Sequence, residues 1–345
     1  MKLMVDDAVW GFNKIFSEFG EVVTLPGRDI SRESLLDCDM LIVRSRTQVN
    51  QELLEGTQIS FVGSTVAGLD HIDESYLYKN NIAFSSAQGC NANAVAEYVI
   101  SALANLAHDY CFNLAEKSLG IIGVGNVGRR LNFKARQLGM TTLLNDPPRE
   151  EKEGADGYVS LENALSADIV TFHTPLTNNG PYPTHNLLGS QNFNLITEDT
   201  ILINAARGGI IDEAIWETIN TKANIIDCWE NEPNINRTLQ KSAYWSTPHI
   251  AGHSIDAKFM GSFMIYKELC KFTQKPINSE IETLINPDSM VIEEKTLHET
   301  LNSIYSFKDD DEVISDISKF EDYRRNYPER LEWHHFKTQF DIPRK

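Results

Sequence analysis

The sequence predicts an α/β protein with two doubly wound parallel-sheet units in series, followed by a small carboxy-terminal α+β piece. Three observations predict it. Short apolar runs alternate with helical patterns over roughly the first ninety residues. The same alternation restarts after a long apolar helical stretch at 91–108. Beyond about residue 280 it gives way to charged and aromatic residues. A βαβα rhythm requires parallel strands, because each helix carries the chain back across a sheet face.

The first series has candidate strands LMVD (3–6), MLIVR (40–44), SFVGS (60–64) and IAFSS (82–86). Helical patterns such as VWGFNKIFSEFG and ESYLYKN fall between them. NANAVAEYVISALANLAH repeats its apolar residues at helical spacing, and Asn91 or Asn93 could cap it. In the second series SLGIIGVG reads as a strand, NVGRRLNFKARQLG as a helix, and MTTLLND, ADIVTFH, TILINAA and ANIIDCW as strands. The chain turns helical from about Asp256 (AKFMGSFMIYKELCKFTQ). EKTLHETLNSIYSF and ISKFEDYRRNYPERLEWHHF are read as helices of a small third domain or an oligomerisation arm. Tyr305, Phe307, Phe320, Tyr323, Tyr327, Trp333 and Phe336 give this end more apolar surface than a disordered tail carries.

Composition excludes several function classes. No run of eighteen apolar residues argues for a membrane helix. The amino terminus meets acids within a few residues, which argues against a signal peptide. Five widely spaced cysteines show no metal-type pairing, so reduced thiols in a cytoplasm are expected and no metal is. A net charge of -18 disfavours nucleic acid and anionic membranes, but a local arginine cluster can still hold a small anion.

GIIGVGNVGRR places Gly123, Gly125 and Gly128 in G-x-G-x-x-G spacing, between an apolar strand and an amphipathic helix. Gly123 permits the tight turn, Gly125 lets the backbone approach a pyrophosphate, and Gly128 permits close helix–strand packing. The first free amides of the helix, near Asn126 and Val127, would face the phosphates with the helix dipole behind them. Asp146 closes the next strand, where a carboxylate accepts the ribose hydroxyls and repels a 2′-phosphate, favouring NAD over NADP. Arg149 in DPPR is the one neighbour suited to a 2′-phosphate instead.

Polar side chains follow three later elements: Arg207 in INAARGG, Glu230 and Glu232 in DCWENEP, and His249 in TPHIAG. Oxidation of a 2-hydroxy acid needs a cation for the carboxylate, a base for the hydroxyl proton and a carboxylate to orient that base. Arginine, histidine and glutamate supply those parts.

These pieces together, GVGNVG, HTP at 173–175, INAARG, DCWENEP and TPHIAG, resemble the D-2-hydroxyacid dehydrogenase family. VRSRTQVN, DHIDE, GCNANAVAEYV, LLNDPPRE, TFHTPLTNNGPYPT and RRNYPERLEW extend the resemblance, to one member in particular, over essentially the whole chain. The resemblance implies two Rossmann-like domains with the active site in the cleft between them. A substrate domain would comprise residues 1–92 plus about 254–280, an NAD domain 93–253, and a homodimerisation domain 281–345. It makes Arg207 the substrate-binding catalytic arginine, Glu232 (and not Glu230) the catalytic acid, and His249 the acid/base. It assigns Asp146, Thr174, Ala205, Ala206, Asp227 and Gly252 to NAD, and Ser45 to substrate. Arg44 and Arg46 are candidates for a phosphate on charge grounds.

Two positions depart from the family pattern. The chain reads GSTVAG where the family reads GTATAG, so Val66 replaces a threonine and Thr65 or Ser64 is left to make that contact. His253 stands where a tyrosine is usual. The implied reaction is NAD-dependent oxidation of a small phosphorylated 2-hydroxy acid at C2. The rival readings are another D-2-hydroxyacid dehydrogenase such as a phosphoglycerate dehydrogenase, an NADP-dependent relative, or a non-catalytic NAD(H) sensor.

Overall fold

The structure is a computed structural model that describes residues 1–285 and 289–344. By contact density these residues fall into two units: 1–91 with 254–285, and 92–253 with 289–344.

In the first unit, β1 (Lys2–Asp6), β2 (Glu21–Leu25), β3 (Met40–Val43), β4 (Phe61–Ser64) and β5 (Ala83–Ser86) form a parallel sheet in the order β2-β1-β3-β4-β5. Its inner strands, MLIV and FVGS, are buried at every residue. That is why they read as unbroken apolar runs rather than alternating ones. The helix Ile255–Thr273, capped by the Ser254 side chain, returns to this unit and buries Phe263, Ile265, Tyr266 and Leu269 in its core. It packs so close that a Cβ on Gly63 would sit 2.5 Å from Ile265.

In the second unit, β6 (Ser118–Ile122), β7 (Thr141–Asn145), β8 (Ile169–Phe172), β9 (Ile201–Asn204), β10 (Ala223–Ile226) and β11 (Trp245–Ser246) are all parallel, in the order β11-β10-β9-β8-β6-β7. The chain leaves β6 for β7 on one side and returns to β8 on the other. Such a reversal opens a crevice at the carboxyl ends of the two inner strands. Side chains alternate between the faces. Leu119, Ile121, Ile203 and Ile225 pack under the helices Ala92–Asp109 and Asn126–Gln137, while Ile122, Val170, Leu202 and Ile226 pack on the opposite face with Leu165, Trp216 and Leu239.

The carboxy-terminal segment completes both faces. Leu301, Tyr305, Phe307, Tyr327 and Trp333 join the first cluster, and Ile314 and Phe320 join the second. The strands within this segment are one short parallel pair, β12 (Met290–Ile292) with β13 (Phe336–Thr338). A polar knot secures it: the hydroxyls of Tyr305, Tyr323 and Tyr327 donate to Asp310 at 2.5, 2.6 and 2.9 Å. A second knot joins it to the long helix. Asn93 donates to both Glu97 and Glu332, and Lys134, fully buried, donates to the Pro343 carbonyl at 2.7 Å beside Glu97 and the Trp333 ring. Asn93 therefore spends its amide on carboxylates from within the first turn of its helix.

Several elements differ from the sequence expectation. Residues 9–20 are not one helix but two short turns, Phe12–Ile15 and Ser17–Phe19, separated at Phe16 and closed by Gly20, where a Cβ would meet the Met1 carbonyl at 2.0 Å. The edge strands β2 and β11 were not anticipated. The expected helical stretch at 317–336 shortens to Ile317–Lys319 and Phe320–Arg325, with irregular backbone up to Trp333. Pro328 accounts for the stop, because it disfavours helical backbone at the residue before it. Residues 289–344 pack onto the second unit's core instead of forming a core of their own.

Candidate active site

Because the second sheet is wholly parallel, its strands end at one edge, and the expected residues of this unit lie just beyond those ends. Gly123 follows β6, Asp146 follows β7, Thr174 lies just past β8, Ala205–Arg207 follow β9, Asp227 follows β10 and His249 lies just past β11.

The glycine turn is built as the spacing requires. Gly123 has φ +92, and a Cβ there would meet the His173 backbone at 2.7 Å. A Cβ on Gly128 would sit 2.1 Å from the Gly123 carbonyl oxygen, so the helix Asn126–Gln137 touches the turn. Gly125 differs: nothing lies within 4 Å of its Cβ position, and it begins the helix with no side-chain cap. The amides near Asn126 and Val127 thus stand over open space at the positive end of a helix, a setting that fits a pyrophosphate. Next to the turn, the buried hydroxyl of Thr174 has no hydrogen-bond partner among the described residues. Asp146 accepts from the Val124 N–H at 2.8 Å and caps the helix Pro147–Glu153. Arg149 is paired with Glu153 and lies 3.8 Å from Asp146. Burial holds the His173 imidazole well below its ordinary range, so it is neutral.

The loops after β9, β10 and β11 converge. Asp227 is 1% exposed and accepts from the Ile250 and Ala251 N–H groups and the Thr247 hydroxyl, at 2.7, 3.1 and 2.7 Å. Tyr98 extends the chain through Thr247 at 2.7 Å. These bonds hold the 247–251 loop, in which His249 adopts φ +55. Trp229 tethers the same loop from the other side by donating its ring N–H to the Thr247 carbonyl.

Glu232 grips His249. Its carboxylate lies 2.9 and 3.0 Å from Nδ1, and Oε1 also accepts from the Trp229 N–H at 3.0 Å. Burial alone would raise this carboxyl, but the His249 charge and hydrogen bond, Arg324 and the Trp229 amide outweigh it and hold it down at about 2. Glu230 makes a different contact, its N–H donating to Glu213. Arg207 donates through Nη1 to the Ala206 carbonyl, and Asn204 supports the turn by donating to the Arg207 carbonyl at 2.9 Å. The loops pack so tightly that a Cβ on Gly208 would lie 2.0 Å from the Trp229 oxygen.

Residues outside the expected set complete this edge. Arg324 lies 3.3 Å from Glu232 Oε2. Arg330 donates to the Ala251 carbonyl at 2.5 Å, and the Tyr327 ring meets His253 edge-on at 5.6 Å. All three come from the carboxy-terminal segment, whose RRNYPERLEW carried the family resemblance but no expected site residue.

The remaining expected residues belong to the first unit. Arg44, Ser45 and Arg46 follow β3, with Arg44 donating to the Ala8 carbonyl at 3.3 Å. Thr65 follows the adjacent β4 and directs its hydroxyl to the Val43 carbonyl at 3.2 Å. Ser64 is fully buried against His71. The hydroxyls beside Val66 thus already have protein partners.

Residues 95–251 match the family model for the D-isomer specific 2-hydroxyacid dehydrogenase, NAD binding domain. The NAD⁺-bound 3-phosphoglycerate dehydrogenase of Entamoeba histolytica shares the fold, with TM-score 0.67 and 24% identity over 83% of this chain and 99% of that one. Fold and site thus define the class, an NAD-dependent dehydrogenase of the D-2-hydroxyacid type. The chain is 57% identical over 343 residues to the erythronate-4-phosphate dehydrogenase of Ruthia magnifica subsp. Calyptogena magnifica, covering 99% of each. It is 50% identical to that of Hydrogenovibrio crunogenus, over 96% of this chain and 92% of the relative. It belongs to the erythronate-4-phosphate dehydrogenase family. No helix among the described residues is long and apolar enough to cross a membrane.

Proposed function

We propose that the protein oxidises 4-phospho-D-erythronate at C2 to 2-oxo-3-hydroxy-4-phosphobutanoate, a step of vitamin B6 biosynthesis, as a cytoplasmic homodimer. The observation that carries the chemistry is the His249–Glu232 pair at 2.9 Å, and the identity of the relatives supports the substrate. NAD, when bound, would supply the acceptor for the C2 hydride. The glycine turn, Asn126 and Val127 would hold its pyrophosphate, Asp146 its ribose, and Thr174, Ala205, Ala206, Asp227 and Gly252 would line the rest.

Glu232 occupies Nδ1 of His249, which leaves Nε2 to take the hydroxyl proton as the hydride departs. The ionised Glu232 orients the ring and stabilises its charged form. Arg207 pairs with the substrate carboxylate, a planar match of guanidinium to carboxylate. Arg44 and Arg46 supply charge for the phosphate, and Ser45, Thr65 and His253 supply hydrogen bonds.

Purified protein with NAD, assayed on 4-phosphoerythronate and on 3-phosphoglycerate, tests the reading. The first should be preferred in kcat/KM by at least about 100-fold, the discrimination available to a site built around specific polar contacts. Equal rates, or a preference for 3-phosphoglycerate, would refute the assigned substrate. Light scattering checks the dimer: a mass of one 39.0 kDa chain would count against it.

A further inference from the structure

The NAD-domain match ends at residue 251, and the Entamoeba structure covers 83% of this chain. Arg324 lies beyond the matched domain, in the helix Phe320–Arg325, yet it reaches the centre of the site. Its side chain is 16% exposed. Phe320, fully buried in the sheet's core, lies beneath the guanidinium at 5.7 Å. The supporting chain is fixed as well: Arg237 donates to the Ile314 and Ser315 carbonyls at 2.9 and 2.7 Å, and Asp311 accepts from the Ser246 N–H and hydroxyl.

The two oxygens of Glu232 have different neighbours. Oε1 takes the Trp229 amide, Oε2 takes Arg324, and Nδ1 of His249 lies between them. A carboxylate held from both sides cannot rotate away from the imidazole. Other ionisable groups among the described residues that act around this carboxylate include Cys228, Glu213, Glu230, Asp227 and Arg207. Cys228 is buried and its thiol is held well above its ordinary value. Burial raises the Glu213 carboxyl. Arg207 has its own role toward substrate in the proposed reaction.

We propose that Arg324 is a positioning residue of the proton-transfer pair: it fixes the Glu232 carboxylate against His249 and offsets part of its negative charge. The inference rests on the reading of His249 as the base. Without the guanidinium, the full charge of Glu232 acts on the imidazole and favours its protonated form. The base is then available only at higher pH.

The test is the pH profile of kcat/KM for oxidation by the full-length protein, with NADH binding measured separately. Arg324→Met should lower kcat/KM about tenfold and move the acid limb upward by about half a pH unit or more, the direction expected when a cation near the imidazolium is removed. Arg324→Gln provides the same readout if the methionine variant folds poorly. Arg324→Lys should restore the limb. In a Glu232→Gln background, Arg324→Met should add little, because residues acting through one another are not additive. An unmoved limb with only lower thermal stability, or an additive loss in that background, would make Arg324 a structural anchor and overturn the proposal. His249→Ala is the separate control: retained turnover there removes the catalytic reading itself, whatever Arg324 does.

Discussion

The second unit contains two regions assembled by different rules. Its dinucleotide body, 92–253, is a stack of aliphatic strands with at least one expected site position after each. Its carboxy-terminal segment, 289–344, has one short strand pair and attaches through individual aromatic rings and buried charges. The body carries the residues proposed for the chemistry, and the segment contacts the loops that hold them. Regular pattern thus governs where the reacting groups stand, and irregular packing governs how firmly they are held.

The largest expected effect tests the body. His249→Ala should cost at least about 100-fold in kcat while NADH binding stays within a few-fold, as removal of a general base does. Steady-state rates with a separate fluorescence titration measure both, and turnover within tenfold of wild type refutes the assignment.

The body also contains its own contrast. Gly128→Ala drives a Cβ into the Gly123 carbonyl at 2.1 Å, whereas Gly125→Ala meets nothing within 4 Å. The first should destabilise the protein by about 2–4 kcal/mol, in the range of severe overpacking. The second should change stability by less than about 1 kcal/mol yet weaken NAD binding severalfold. Melting curves with and without NAD separate the two. Equal stability losses would mean that the glycines do not divide packing from cofactor approach.

For the segment, Asp310→Ala leaves three tyrosine hydroxyls without their acceptor. A loss of about 2–3 kcal/mol is expected from buried donors so abandoned, and activity should fall with it as the segment loosens from the 249–253 loop. Full activity at unchanged melting temperature would show that the segment does not support the site.

The last expected effect is one of pH. Burial and the adjacent Glu332 push the Glu97 carboxyl up to about 8. A folded-state value above the unfolded one means that the folded state keeps a proton the unfolded state releases. The stabilising contribution is therefore present below pH about 4.5 and is lost as pH rises toward about 8. Lys134, pushed down by burial, acts in the opposite sense, so the variant is needed to isolate Glu97. Glu97→Gln should gain stability relative to wild type by about 1–2 kcal/mol between pH 6 and 8. A pH-independent difference in denaturant midpoint would disprove it.

Legibility in the sequence follows the same divide. The inner strands showed as apolar runs because both their faces are buried, and the glycine turn showed because each glycine has a separate steric task. β2, an edge strand whose residues are half-buried or exposed, lacked that signal, and β11, with two residues, is too short to carry a period. Glu232 and Glu230 are indistinguishable by local pattern, and only the tertiary turn brings one of them onto His249. Arg324 could not be located at all from spacing. Its neighbour Glu232 is remote in sequence, so no local pattern links the two.

The placement of Arg324 and Arg330 so far along the chain has a consequence for biosynthesis. The ribosome makes the dinucleotide body before this segment, and domains begin to fold as they emerge. The residues that close on Glu232 and Ala251 are made only after that body. In a nascent chain the glycine motif is therefore complete before Glu232 and Ala251 have gained these contacts.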